Sequence, residues 1–137
     1  DNNERVALKG SILVVEDNPV NQKLLVIFLE KAGFNVTVAS NGQEAVDIIK
    51  NNRDFNVIFM DIHMPVMDGV SATKLIREMG VELPIIALTA NVIKEDVDKF
   101  LANGMNDYIA KPINFDKLQE ILLEYSTKSW YTGGTTW

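Results

Sequence analysis

An α/β fold built on a parallel sheet covered on both faces is what the sequence predicts, on two observations. Short β-branched apolar runs alternate along the chain with longer amphipathic segments. Five runs of each kind fall within about 115 residues, which is the pattern of consecutive βαβ units. At 137 residues and 47% hydrophobic, the chain suits one domain with a real core.

The elements follow in order. Residues 1–10 are polar, show no clean period, and read as a tail or linker. Residues 11–15 (SILVV) form a continuous apolar run, as expected of a strand buried on both faces. Asn18 then offers an N-cap with Pro19 at the first helical position, and residues 20–32 carry a wide apolar face up to a stop at Gly33. A second strand over 35–39 (NVTVA) precedes a helix over 43–50, and a third strand over 57–60 (VIFM) precedes a helix over 71–79 that ends near Gly80. Residues 85–89 (IIALT), after Pro84, form the fourth strand, and 94–102 the next helix. Residues 108–110 make a short fifth strand before Lys111-Pro112, and 115–124 a last helix capped by Asn114.

The size suits a flavodoxin-like doubly wound (βα)5 sheet, strand order 2-1-3-4-5, better than a full dinucleotide-binding fold. The domain is expected over residues 11–125. Residues 126–137 hold both tryptophans but no helical or strand period; a linker, an engineered scar and a docking segment all stay open.

Composition narrows the function. With no cysteine, the chain cannot use a disulfide scaffold, a thiolate metal site, an iron–sulfur cluster or a cysteine nucleophile. A net charge of −6 argues against gripping nucleic acid or an anionic membrane. The longest apolar runs fall far short of the roughly 18 residues that span a bilayer. No charged-then-apolar signal opens the sequence, so a cytoplasmic, reducing location is expected, with no direct membrane contact.

Ligands of doubly wound sheets bind beyond the carboxyl ends of the strands. There the first strand is followed by Glu16 and Asp17, the third by Asp61, the fourth ends in Thr89-Ala90, and the fifth leads into Lys111. One acidic residue at a strand end is ordinarily a solvated loop end. Three that converge, with a lysine and a threonine aimed at the same point, need neutralisation, and a hard divalent cation with oxygen ligands supplies it economically. A carboxylate can attack phosphorus, and phosphoryl transfer then needs positioning and charge neutralisation more than covalent machinery. Mg²⁺ and Lys111 would provide positive charge, while the Thr89 hydroxyl and the Ala90 amide could donate hydrogen bonds to phosphoryl oxygens. Asp61, alone after the central strand, is the better nucleophile.

Val15-Glu16-Asp17-Asn18, Met60-Asp61-Ile62-His63-Met64-Pro65-Val66-Met67-Asp68-Gly69, Leu88-Thr89-Ala90 and Tyr108-Ile109-Ala110-Lys111-Pro112 together resemble the response-regulator receiver domain, in order and with that family's spacing. The resemblance implies that Asp61 is the phosphoacceptor. It makes Asp17 and Asp61 the Mg²⁺ carboxylates, with Mn²⁺ a substitute ion, Glu16 acting mostly through water and the His63 backbone carbonyl as a further ligand. Thr89 would be the switch hydroxyl, Lys111 the phosphate-pairing lysine and Tyr108 the switch aromatic. The His63 side chain and Asn91 would tune dephosphorylation, and the Lys111–Pro112 bond is expected to be cis. The partner would be a histidine kinase or a histidine phosphotransfer domain, docking beside apolar residues of the first helix. A homodimer through the fourth helix, fifth strand and fifth helix is a further expectation. The run Asp17-Asn18-Pro19-Val20-Asn21-Gln22 leans toward receivers fused to hybrid sensor histidine kinases, with a stand-alone or effector-linked regulator as runner-up. Where family members often carry Trp after the acceptor, this chain has Ile62, so tryptophan fluorescence should report phosphorylation poorly.

Three rivals fit the residues less well. A cobalamin module shares the architecture, but Val66 stands where its loop needs glycine. A haloacid-dehalogenase-type phosphatase needs a second Asp where His63 stands. A pseudo-receiver would lack pocket residues that this sequence has. Gly69 is expected to permit an unusual backbone turn, and Met60, Met64 and Met67 to fill gaps in the packing.

Overall fold

The computed structural model describes residues 10–134, with side chains through residue 125. The elements run β1 (Gly10–Val15), α1 (Pro19–Lys31), β2 (Phe34–Ala39), α2 (Gly42–Asn51), β3 (Val57–Asp61), α3 (Gly69–Glu78), β4 (Ile85–Thr89), α4 (Lys94–Ala102), β5 (Asp107–Ala110) and α5 (Phe115–Gly134). All neighbouring strands pair in parallel, in the order β2-β1-β3-β4-β5.

The alternation of side chains along each strand divides the core in two. Ile12, Val14, Phe59, Ile86 and Leu88 pack with Leu25 and Leu29 of α1 and with Leu118, Ile121 and Leu122 of α5. Leu13, Val15, Ile58, Met60 and Ile85 face the opposite way, onto Val46 and Ile49 of α2, Ile76 of α3 and Phe100 of α4. With both faces covered, the central strands read as unbroken apolar runs, because no position along them looks onto water.

Short polar side chains fix where the helices begin. Asn18 accepts from the Val20 and Asn21 amides, Asn41 from Glu44, Asp68 from Ser71, and Asn114 from Asp116 and Lys117. At the strand-entry end, the Arg77 guanidinium donates to the carbonyls of Gly104 and Val81 and to the Asn106 side chain. Asn106 in turn accepts from the Ile85 amide. One side chain of α3 thus ties together the segments that lead into β4 and β5. Among the described residues, no helix is long and apolar enough to cross a membrane.

The expected elements all form, with two corrections. The last helix does not stop at residue 124 but runs to Gly134, so residues 126–134 are helical despite lacking a period. Nothing between Tyr125 and Gly133 breaks a helix, and a helix already nucleated by packing propagates at little cost. Residues 1–9 of the expected tail, and 135–137, lie outside the described residues.

The second correction concerns the loop after β3. Gly69 does not take a left-handed backbone; a Cβ there would collide with the Asp61 carbonyl oxygen. The absent side chain admits a close approach, sealed by the Gly69 amide donating to the Ile62 carbonyl at 2.9 Å. The left-handed residue is Val66, at φ 69°, with 81% of its surface exposed. A β-branched side chain in this region is strained, and such strain collects at functional loops. Gly69→Ala should therefore lower the melting temperature by roughly 5–10 °C, as overpacking against backbone would. Val66→Asn, which tolerates the left-handed conformation, should raise it by a few degrees in the same thermal scan.

Candidate active site

The sheet register delivers the acidic residues to one place. Val15 pairs with Met60, so the next step along each strand sets Glu16 beside Asp61. On the other side Thr89 pairs with Ala110, and the Lys111 amide donates to the Thr89 carbonyl at 2.8 Å, which brings Lys111 over the same end of the sheet. The Lys111–Pro112 peptide is cis, as expected.

Lys111 Nζ lies 3.0 Å from Glu16 Oε1 and 3.1 Å from Asp61 Oδ2. Both carboxylates are buried, Glu16 fully and Asp61 to 3% exposure. Asp17 is exposed beside them, and each of the three offers a carboxylate oxygen within 4.8 Å of the others. Burial first, and the Glu16 charge second, push the Asp61 carboxyl up to about 7, although Lys111 pulls the other way. Burial alone would lower the Lys111 pKa, but the hydrogen bond to Glu16 and the charge of Asp61 outweigh it and hold the ammonium above its ordinary value. Lys111 thus serves two of the three carboxylates and, among the described residues, leaves Asp17 without a cation. An all-oxygen donor set with two uncompensated negative charges fits a hard divalent cation.

The loop bearing Asp17 is fixed through its main chain. The Glu16 amide donates to the Ala39 carbonyl at 3.0 Å, and the Asn18 amide donates to Glu16 Oε2 at 3.0 Å. Gln22, on the first turn of α1, donates through Nε2 to the Glu16 carbonyl at 2.5 Å and to Ser40 Oγ at 3.2 Å. Sequence reasoning gives Gln22 no role. Its one signal is a polar residue four positions after the N-cap Asn18.

Two cavities flank this end of the sheet. The larger, about 410 Å³, is lined by Glu16, Asp17, Asp61, His63, Ala90 and Lys111 among others, so these expected site residues do come together. Thr89 and Asn91 do not join them. They open instead onto a neighbouring cavity of about 300 Å³, floored by Phe100, and His63 lines both. The Thr89 hydroxyl is engaged within its own loop, accepting from the Asn91 amide at 3.0 Å and donating to the Asn91 carbonyl at 3.1 Å. Tyr108 is half-buried against the core on the side of α4.

Around this geometry the comparisons with known proteins agree. Residues 12–123 match the response regulator receiver domain. The chain is 43% identical over 119 residues to hybrid signal transduction histidine kinase I of Dictyostelium discoideum, covering 81% of this chain and 7% of that protein. It is likewise 43% identical over 120 residues to the osmosensing histidine protein kinase SLN1 of Saccharomyces cerevisiae, covering 83% and 10%. Its length is thus a small part of these curated relatives. Among solved structures, it superposes with a TM-score of 0.86 on the S. cerevisiae receiver domain of Ssk1, crystallised with the histidine phosphotransfer protein Ypd1, at 36% identity over 91% of this chain and 94% of that one. The receiver domain of a sensor histidine kinase from Pseudomonas aeruginosa, with a magnesium ion coordinated in its active-site cleft, matches with a TM-score of 0.79 at 45% identity over 87% and 98%. With its doubly wound sheet, its acidic strand ends and its lysine before a cis proline, the chain belongs to the response regulator receiver family and is a receiver domain of a two-component phosphorelay.

Proposed function

We propose that Asp61 takes a phosphoryl group from a phosphohistidine. The observation that carries this is the lysine bridge: a buried carboxylate at the end of the central strand, held by Lys111 and opening onto a cavity that it shares with two further acids. An Asp61 carboxylate oxygen attacks phosphorus as the phosphorus–nitrogen bond breaks, and the departing imidazole takes a proton from water. Lys111 turns from its carboxylates toward the phosphoryl oxygens, and the Ala90 amide donates to them. Asp17, Asp61, the His63 backbone carbonyl and, through water, Glu16 would hold a Mg²⁺ ion, which when bound neutralises charge around the phosphoryl group. The acid cluster and the magnesium in the P. aeruginosa relative support that choice of ion.

Thr89 is the switch in this reading. Its hydroxyl leaves the Asn91 backbone for the phosphoryl oxygen, Tyr108 repacks, and the population shifts between two arrangements of the α4 side. The side chains of His63 and Asn91, at the cavity rims, tune the attack of water on the aspartyl phosphate. The parent chain is a hybrid histidine kinase, given the relatives it matches; a stand-alone or effector-linked regulator is the second reading, supported by 41% identity over 125 residues to the S. cerevisiae transcription factor SKN7.

The phosphodonor docks on α1. Val20, Leu24 and Ile27 are exposed there and line, with Pro19 and the Lys23 stem, a shallow apolar depression. A groove lined by Leu24, Pro112 and Phe115 continues from it to Lys111.

Three outcomes test this. Incubation with Mg²⁺ and acetyl phosphate should add one phosphoryl group by intact mass, and EDTA or Asp61→Asn should abolish the adduct. Leu24→Asp should slow transfer from a phosphorylated histidine phosphotransfer protein by about 10-fold or more, as loss of an interface anchor does, and leave the acetyl phosphate reaction near wild type. The third is a pH dependence. Asp61 binds its proton more tightly folded than unfolded, so in EDTA its contribution is full below about pH 4 and is lost as pH rises toward about 7. Asp61→Asn should therefore stabilise the metal-free domain at pH 8, by a shift of several degrees that shrinks as pH falls toward 4. Thermal scans across pH would read it.

A further inference from the structure

We infer that Gln22 is a positioning residue for the cation site, holding the Asp17 carboxylate at the metal by pinning the peptide group that joins Glu16 to Asp17. This rests on the cation-binding reading above.

Of the three acids, Glu16 and Asp61 are buried and tied to Lys111, so side-chain contacts set where they point. Asp17 has no such help. It is exposed, and among the described residues no hydrogen bond or ion pair holds its side chain; its direction is inherited from its backbone. Three bonds fix that backbone, and two of them act before Asp17 or beyond it: the Glu16 amide to the Ala39 carbonyl, and the Asn18 amide to Glu16 Oε2. The third, from Gln22 Nε2 to the Glu16 carbonyl, is the one that fixes the Glu16–Asp17 peptide plane itself. The same amide reaches Ser40 Oγ, so the plane is braced against the loop after β2 as well as against α1. Ser40 is held in turn, since its own amide donates to Glu44 Oε1 at 2.8 Å. A primary amide suits this position because it offers two donors from one nitrogen, and no charge to compete with the cation.

Partners that orient metal ligands without touching the metal typically contribute 10–100-fold to affinity. The test is Mg²⁺ binding by isothermal titration calorimetry, with no phosphodonor, on wild type, Gln22→Met and Gln22→Glu. Gln22→Met keeps the length of the side chain and removes the donors, and should weaken Mg²⁺ binding about 10-fold. Gln22→Glu should weaken it too, although an added negative charge would by itself favour a cation; that sign separates positioning from bulk electrostatics. The rate of phosphorylation by acetyl phosphate at saturating Mg²⁺ should stay within about 2-fold of wild type, since the ion restores the geometry when forced in. Lys31→Gln, at the far end of the same helix, is the control and should bind Mg²⁺ as wild type does. Should a variant fold poorly, the backbone amide resonance of Asp17 in metal-free Ser40→Ala supplies the second readout, and should move from its wild-type position. Wild-type affinity in Gln22→Met, tighter binding in Gln22→Glu, equal weakening in Lys31→Gln, or an unmoved Asp17 resonance would each overturn the role of Gln22. Failure of the wild-type domain itself to bind Mg²⁺ would overturn the cation reading beneath it.

Discussion

Two buried carboxylates sharing one ammonium is the constraint around which this molecule is organised. Glu16 and Asp61 stand at the ends of adjacent parallel strands, where register leaves them no choice but to meet, and Lys111 arrives from the far strand to lie between them. Removing two like charges from water at close range opposes folding. The surrounding structure absorbs that opposition through a sheet buried on both faces, helix caps that leave few amides unsatisfied, and a glycine that lets α3 start against the Asp61 carbonyl. The residual imbalance is the opening for function. A site that is electrostatically incomplete alone gains most from a cation and from an incoming group whose charge the cation and lysine can share.

Much of this was legible in the residues. Strands buried on both faces announce themselves as unbroken runs such as Ile12–Val15 and Val57–Met60, and the helices between them by caps and stops. The site was legible because doubly wound sheets place chemistry at strand ends, so that Glu16, Asp17, Asp61 and Lys111 could be collected by position alone. Three things were not. Gly69 looked like a conformational need and is a steric one, and the left-handed residue is the β-branched Val66, which no propensity would select. The direction of the Thr89 hydroxyl depends on a local bond to Asn91 that spacing cannot reveal. The reach of Gln22 from a helix to a loop carbonyl is a tertiary contact carried by an ordinary polar side chain.

The helical faces divide the labour. Exposed apolar residues concentrate on α1, next to the carboxylate cavity, while the cavity onto which Thr89 opens lies between α3 and α4 on the other side of the sheet. The strand end that carries the carboxylates therefore opens toward both faces of the sheet, with His63 on the rim of both cavities.

The clamp made by Arg77 has a consequence for how such a domain can diverge. It gathers the segments that enter β4 and β5 at the end of the sheet remote from the carboxylates, through carbonyls that any residue carries and one asparagine side chain. Its partners being largely main chain, the clamp is indifferent to most substitutions around it. Tolerance to drift is then concentrated at the strand-entry loops and on the outer helix surfaces, and withheld from the carboxyl end, where Glu16, Asp61 and Lys111 are already answerable to one another. A chain partitioned this way can acquire new correspondents without renegotiating its chemistry.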